Sequence, residues 1–83
     1  MKGTVSIIIA DDHPVVRAGL RQILAESGEI RQIAEASDGQ DLLEKLKKTR
    51  YDIILLDITM PGRNGLEILK ELRILYPSTP VLV

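Results

Sequence analysis

Four consecutive aliphatic residues, from Ile53 to Leu56, run directly into an aspartate, Asp57. The run is too short for a buried helix and too uniformly apolar for a half-exposed strand, so it predicts a strand that is covered on both faces. A carboxylate that follows such a strand needs water, a cation or hydrogen bonds. Pro61 and Gly62 then stop the strand and favour a turn. We therefore predict that Asp57 lies at the mouth of a loop, at the carboxyl end of a buried strand.

Three further segments predict strands. The segment from Thr4 to Ala10 is rich in β-branched residues, which favours a second doubly buried strand, and Asp11 and Asp12 follow it directly. The segment from Ile30 to Ala36 is less hydrophobic and predicts a short strand at the edge of the sheet. The last residues, from Val81 to Val83, predict the start of a fourth strand. Two of the predicted strands therefore end in carboxylates.

Three helices are predicted between the strands, each with an apolar stripe at helical spacing. The stripes consist of Val16, Leu20, Ile23 and Leu24; of Leu42, Leu43 and Leu46; and of Leu66, Leu69, Leu72 and Leu75. Pro14 suits the first turn of the first helix. The capping-box spacing of Ser37 with Gln40, and of Asn64 with Glu67, predicts where the second and third helices begin. Strands and helices therefore alternate along the chain.

This alternation favours a parallel sheet with right-handed crossovers. The edge character of the second strand and the buried character of the first and third predict the strand order 2-1-3-4, the flavodoxin-like winding of a doubly wound, three-layer α/β fold. In that order the ligand crevice lies between strands one and three. We therefore expect residues 1–83 to form part of one domain, ending within its fourth strand, in which Asp11, Asp12 and Asp57 meet at the crevice.

Composition excludes several classes of protein. The 83 residues include 12 acidic and 11 basic side chains, so the net charge gives no electrostatic reason to expect nucleic acid or an anionic membrane as a partner. The chain has no cysteine, which excludes disulfides and thiolate metal sites and fits a cytoplasmic protein. The apolar stretch near the N-terminus is too short for a signal peptide or a membrane span. We expect a small cytoplasmic domain with no membrane partner.

Carboxylates that converge on one crevice repel each other, so the predicted cluster favours a bound cation. Mg²⁺ prefers hard oxygen ligands and commonly binds one or two carboxylates together with phosphate oxygens. A carboxylate beside bound Mg²⁺ can attack phosphorus, because the metal neutralises charge on the transferring group. Any one of the three aspartates could be a solvated loop residue. All three at one crevice favour a metal site that carries phosphoryl chemistry.

The chain resembles a known family through a combination of motifs. The motifs are Asp11-Asp12 after one apolar strand, Asp57 after another, Met60-Pro61-Gly62, and Asn64-Gly65. Together they resemble the receiver domain of bacterial two-component response regulators. The segment ADDHPVVRAGL, residues 10–20, is most similar to the NarL/FixJ-like subfamily, in which the receiver precedes a LuxR-type DNA-binding domain.

The resemblance implies a role for each matching position. Asp57 would accept a phosphoryl group from a phosphohistidine of a sensor histidine kinase, and Asp11 and Asp12 would bind Mg²⁺. The backbone carbonyl of Thr59 would be a further protein ligand, so the implied metal ligands are Asp11, Asp12, Asp57 and Thr59. Gly65 would shape the loop and take no part in the chemistry. The domain would be a phosphoacceptor in signalling, not an enzyme.

The residues also leave alternatives open. A truncated or engineered fold fragment without phosphotransfer activity would have the same composition. An aspartyl-phosphate-forming phosphatase of the haloacid dehalogenase type would need a second aspartate where the chain has Thr59. A nucleotide- or flavin-binding module would need glycines where the first strand is followed by Asp-Asp-His-Pro. We interpret His13, beside Pro14 at a helix start, as a local structural residue and assign it no catalytic role.

Two expectations concern what lies after Val83 in the family pattern. A Ser or Thr that ends strand four and a Lys on strand five belong to the phosphoryl site of the family, and the resemblance puts both beyond Val83. We therefore expect the 83-residue chain to take up phosphate poorly, and to act on DNA only through an output domain that is absent here. The unfinished sheet would leave apolar surface and a strand edge exposed, so we also expect the chain to associate with itself.

Overall fold

The computed structural model describes residues 3–58 and 65–83. Within them, strands and helices alternate in the order β1 (Val5–Ala10), α1 (Pro14–Glu26), β2 (Ile30–Ala36), α2 (Gly39–Lys48), β3 (Ile53–Leu56), α3 (Gly65–Leu75) and β4 (Val81–Leu82). All strand pairs are parallel, and the sheet has the order β2-β1-β3-β4. The predicted flavodoxin-like α/β fold with strand order 2-1-3-4 is confirmed. No helix in the described ranges has the length and hydrophobicity that a membrane span requires.

Helices α2 and α3 cover one face of the sheet and form the main core with it. In the two central strands, every second residue belongs to this core, because successive side chains of a strand point to opposite faces of the sheet. The core consists of Ile8 and Ala10 of β1, Ala36 of β2, Ile54 and Leu56 of β3, Leu42 and Leu46 of α2, Ile68 and Leu72 of α3, and Tyr51. The two central strands therefore rest on a buried apolar layer.

Helix α1 lies on the other face and is only lightly packed. None of its residues is buried, and Val16 and Ile23 of the predicted stripe are 46% and 67% exposed. Two ion pairs join α1 to β2. The guanidinium groups of Arg17 and Arg21 lie 3.0 and 3.1 Å from the Glu35 carboxylate oxygens. The helix was predicted correctly, but the burial of its stripe was not. Nothing else in the described part of the chain covers this face.

Strand β3 shows the same difference between the two faces. Ile54 and Leu56 are buried beneath α2 and α3, whereas Ile53 and Leu55 are half-buried. The prediction of a strand covered on both faces is therefore wrong for β3, although it is right for β1, where every residue after Val5 is buried. A run of apolar residues predicts that both faces of a strand are buried. On the α1 side, the helix layer buries only part of the apolar surface of β3.

The apolar stripe predicted for α3 is only partly correct. Leu72 is buried and Leu69 is half-buried, but Leu66 and Leu75 are 55% and 57% exposed. Ile68, which the prediction omitted, is buried together with Leu72. Three residues advance a helix by about 300°, so a stripe repeated every three residues drifts by about 60° at each step and leaves the core. The capping box predicted for Asn64 lies outside the described residues.

Helix α2 begins one residue later than its predicted capping box implies. The N-cap is Asp38, whose carboxylate accepts a hydrogen bond from the Asp41 N–H at 2.8 Å. The Asp41 carboxylate in turn accepts a hydrogen bond from the Ser37 N–H at 3.2 Å. The cap is therefore made by Asp38 and Asp41, with Ser37 contributing only its backbone N–H, and not by the predicted pair of Ser37 and Gln40. Asp and Ser are equally good caps, so the sequence pattern could not choose between neighbouring positions.

Candidate metal centre

The site is built on the paired carboxyl ends of β1 and β3. Ala10 and Leu56 are partners in the parallel register, so the residues that follow them leave the sheet side by side. The Asp57 N–H donates to the Ala10 carbonyl at 2.9 Å, and the Asp11 N–H donates to the Ala36 carbonyl at 3.1 Å. These bonds extend the pairing one residue beyond the strands. They bring Asp11 and Asp57 to the same edge of the sheet, as the sequence predicts.

The cluster at this edge contains an imidazole as well as carboxylates. One ligand atom from each of Asp11, Asp12, His13 and Asp57 lies within 4.8 Å of the others. His13 Nδ1 lies 2.8 Å from Asp11 Oδ1, 3.0 Å from Asp12 Oδ1 and 3.6 Å from Asp57 Oδ2. The structure therefore brings together the three predicted aspartates, and it adds a residue to which the sequence interpretation gave only a local structural role.

The position of His13 follows from the turn between β1 and α1. The His13 N–H donates to Asp11 Oδ1 at 2.8 Å, a side-chain-to-backbone turn of the kind that aspartate favours two residues upstream. His13 is also the N-cap residue of α1, with extended backbone angles, and Pro14 fixes the first helical position. The Arg17 guanidinium donates to the Asp11 carbonyl and holds the helix against the turn. The Asp-x-His-Pro spacing was the available signal for this arrangement.

Electrostatics tie the imidazole to the carboxylates. The hydrogen bond to Asp11 and the negative charge of Asp12 raise the pKa of His13 above its ordinary value, and the charge of Asp57 adds to this effect. Because ionised carboxylates only accept hydrogen bonds, the 2.8 Å contact requires a proton on Nδ1. The Nδ1–H therefore donates to Asp11 Oδ1 and ties the ring to the carboxylate cluster.

The donor set fits a hard divalent cation. Asp11 is buried, with 7% of its surface exposed, and Asp12 and Asp57 are half-buried. Asp12 Oδ1 is buried and has no hydrogen-bond partner among the residues that the structure describes. This oxygen lies 3.0 Å from His13 Nδ1, and a bound cation would further offset the cost of burying its charge. Asp11, Asp12 and Asp57 thus offer the oxygen ligands that Mg²⁺ prefers, whereas the predicted Thr59 carbonyl lies outside the described residues.

A glycine closes the far side of the loop after Asp57. A Cβ atom placed on Gly65 would lie 2.3 Å from the Ile58 Cα and carbonyl oxygen, far inside contact distance. The absence of a side chain therefore lets α3 begin directly against the backbone of the residue that follows Asp57. This agrees with the geometric role that the sequence analysis gave Gly65.

Comparison with known proteins identifies the family. Residues 7–83 match the response regulator receiver domain family. This chain belongs to the receiver domain family. The predicted family is confirmed, and the match includes β3, the carboxyl end of β1 and every residue of the cluster.

Curated relatives of the receiver domain support the predicted subfamily. The chain is 40% identical over 79 residues to the transcriptional regulatory protein DegU of Brevibacillus brevis, covering 95% of this chain and 34% of DegU. It is 43% identical over 68 residues to the nitrate/nitrite response regulator NarL of Escherichia coli K12, covering 82% of this chain and 32% of NarL. The chain thus spans about a third of the length of these relatives.

Solved structures with the same fold include TrrA, a response regulator of Thermotoga maritima in complex with Mg²⁺ and BeF. TrrA is 35% identical to the receiver domain, with a TM-score of 0.87 over 94% of this chain and 66% of TrrA. A second structure holds TrrA in complex with the histidine kinase ThkA, with a TM-score of 0.85 at the same identity and coverage. The first structure shows a protein similar to this receiver with Mg²⁺ and BeF, and the second shows the same protein with a histidine kinase.

Proposed function

We propose that this receiver accepts a phosphoryl group on Asp57 from a phosphohistidine of a sensor histidine kinase. The observation that carries the proposal is the convergence of Asp11, Asp12 and Asp57 within one ligand cluster at the carboxyl ends of β1 and β3. The complex of the similar protein TrrA with a histidine kinase supports the choice of donor. In this role the domain is a phosphoacceptor that is modified once per signalling event, not a turnover enzyme.

The chemistry is an in-line displacement at phosphorus. An Asp57 carboxylate oxygen forms the new O–P bond while the P–N bond to the kinase histidine breaks, and the departing imidazole keeps the bonding electrons and gains a proton. The half-buried Asp57 presents its carboxylate at the crevice while its backbone stays bonded to Ala10. Asp11, Asp12, Asp57 and the Thr59 carbonyl would hold Mg²⁺. Bound Mg²⁺ supplies positive charge that neutralises the transferring group.

The wider partners follow from the relatives. A DNA-binding output domain would carry the signal to transcription, since DegU is named as a transcriptional regulatory protein and the chain spans about a third of it. The receiver itself makes no DNA contact in this proposal, because its net charge is close to zero. We assign the protein to the cytoplasm, where DNA and the kinase domain of a sensor are both accessible, and we assign the receiver no membrane contact.

The experiment that tests this function is chemical labelling at Asp57. Incubation with a radiolabelled small phosphodonor and Mg²⁺ should give a label that hydroxylamine removes, because an acyl phosphate reacts with hydroxylamine. The label should be absent in Asp57→Asn and present in Glu44→Gln, which changes an exposed carboxylate on α2. The label on this chain should be weak, in keeping with the poor phosphate uptake expected from the sequence. A hydroxylamine-sensitive label that persists in Asp57→Asn would remove Asp57 from the role.

We further propose that the 83-residue chain associates with a second copy of itself through the α1 side of the sheet. A groove of about 250 Å³ on this side is lined by Ile9, Leu20, Leu55, Leu82 and Val83, together with the strand ends near Asp57. Leu82 and Val83 are 56% and 72% exposed, and β4 pairs only with β3 within the described residues. An exposed strand edge beside apolar side chains favours pairing with an identical chain.

A further inference from the structure

The imidazole of His13 occupies a position that a metal ligand could hold. At a metal–ligand distance of about 2.1 Å, adjacent ligands of an octahedron lie about 3.0 Å apart and opposite ligands about 4.2 Å apart. The distances from His13 Nδ1 to Asp11 Oδ1, Asp12 Oδ1 and Asp57 Oδ2 are 2.8, 3.0 and 3.6 Å. The first two distances are close to the adjacent-ligand spacing, and the third lies between the adjacent and opposite spacings. His13 Nδ1 is therefore close enough to each of the three carboxylate oxygens to share an ion with it.

We propose that His13 Nδ1 is an additional ligand of this site for borderline ions such as Zn²⁺ and Co²⁺, whose binding it strengthens, whereas Mg²⁺ is held by the oxygen ligands without it. The proposal rests on the metal centre of the proposed function and assigns to it a specificity-determining residue. The ion takes the place of the proton that Nδ1 shares with Asp11, and that proton passes to solvent. The 59% exposed ring leaves one side of the site open to water molecules that complete the coordination.

The ligand chemistry separates the two kinds of ion. Mg²⁺ prefers oxygen ligands and retains several waters, so it gains little from an imidazole. Zn²⁺ and Co²⁺ bind imidazole nitrogen and carboxylate oxygen together, so they gain from a nitrogen ligand that Mg²⁺ does not favour. Because the chain has one histidine and no cysteine, any imidazole coordination by a single chain must come from His13.

Metal titrations on the intact chain test the proposal. We would measure Zn²⁺, Co²⁺ and Mg²⁺ binding to the wild type, to His13→Ala and to Asp12→Asn. His13→Ala should weaken Zn²⁺ and Co²⁺ binding by about 10- to 100-fold and change Mg²⁺ binding by less than about threefold. Asp12→Asn is the matched control, because it removes an oxygen ligand that every ion uses, and it should weaken binding of all three. The stoichiometry should be one ion per chain at every protein concentration.

A direct readout comes from the single imidazole. Nitrogen-15 NMR of His13 should show a large shift of Nδ1 on addition of Zn²⁺ and no comparable shift on addition of Mg²⁺. An unmoved Nδ1 resonance, or equal Zn²⁺ affinity in His13→Ala and wild type, would overturn the proposal. Loss of Mg²⁺ binding in His13→Ala would overturn it as well, because His13 would then maintain the structure of the site and would not determine which ion binds. Labelling of Asp57 with Mg²⁺ would stand in either case, so the two proposals fail separately.

Discussion

At the scale of single residues, Gly65 offers the sharpest test of how the loop after Asp57 is held. Alanine at this position would place its Cβ 2.3 Å from the Ile58 backbone, which no side-chain rotation can relieve. We expect Gly65→Ala to lower the free energy of unfolding by about 1 to 3 kcal/mol or more. We also expect it to reduce phosphoryl labelling, because Ile58 must move and Asp57 precedes it directly. Chemical denaturation and the hydroxylamine-sensitive label measure the two effects.

The matched control for this substitution is Gly19→Ala. Gly19 lies inside α1, and a Cβ added there would meet nothing within 4 Å. Alanine in a helix interior is favoured over glycine by about 0.5 to 1 kcal/mol, so this variant should be slightly stabilised and should keep its label. Equal denaturation midpoints for the two variants would show that Gly65 has room for a side chain.

At the scale of elements, the start of α2 depends on Asp38. Its carboxylate accepts the Asp41 N–H at 2.8 Å and satisfies a donor that the helix itself cannot pair. We expect Asp38→Ala to lower the free energy of unfolding by about 1 kcal/mol, measured by denaturant unfolding at constant slope.

Ser37→Ala provides the control for the cap. The structure uses only the Ser37 backbone N–H, which donates to the Asp41 carboxylate and survives the substitution. Its effect on stability should stay within about 0.5 kcal/mol, as for other exposed positions without a specific role. A larger loss in Ser37→Ala than in Asp38→Ala would restore the capping box that the sequence pattern suggested.

At the scale of the whole molecule, the two faces of the sheet are unequally covered. A monomeric protein of this mass, 9.2 kDa, exposes about 4,900 Å² of surface by the usual scaling. The accessible surface of this chain is 5456 Å², which is more by about 500 Å². The α1 side contributes apolar area to this excess, because Val16, Ile23 and Leu82 are all exposed there. Exposed apolar side chains beside an open strand edge favour association.

A charge placed on the α1 side should therefore weaken self-association. We expect sedimentation equilibrium at micromolar concentration to show a dimer or higher oligomer for the wild type and a shift toward monomer for Leu82→Glu. Ile74→Glu introduces the same charge on α3, at a residue that is 77% exposed on the other side of the sheet, and it should leave the association unchanged. A wild-type monomer with a concentration-independent melting transition would contradict this expectation.

The sequence by itself determined the order of strands and helices, the strand order 2-1-3-4 and the convergence of Asp11 with Asp57. These features depend on local hydrophobic periodicity, which the sequence contains directly, and on the right-handedness of parallel crossovers, which is a general rule. The carboxyl ends of neighbouring parallel strands meet at one edge, so a carboxylate after each strand suffices to predict the cluster.

Only the tertiary structure decided what the side chains contact. The Asp38 cap, the burial of Ile68 in place of Leu66, and the half-exposed Leu55 all depend on how elements distant in sequence are rotated and covered. His13 is the clearest case, since its ring reaches Asp57, 44 positions away in sequence, at 3.6 Å. Its contacts depend on the β1–β3 pairing and on the conformation of the turn before α1. Hydrophobic periodicity predicts the pairing but not the direction in which the turn places the ring.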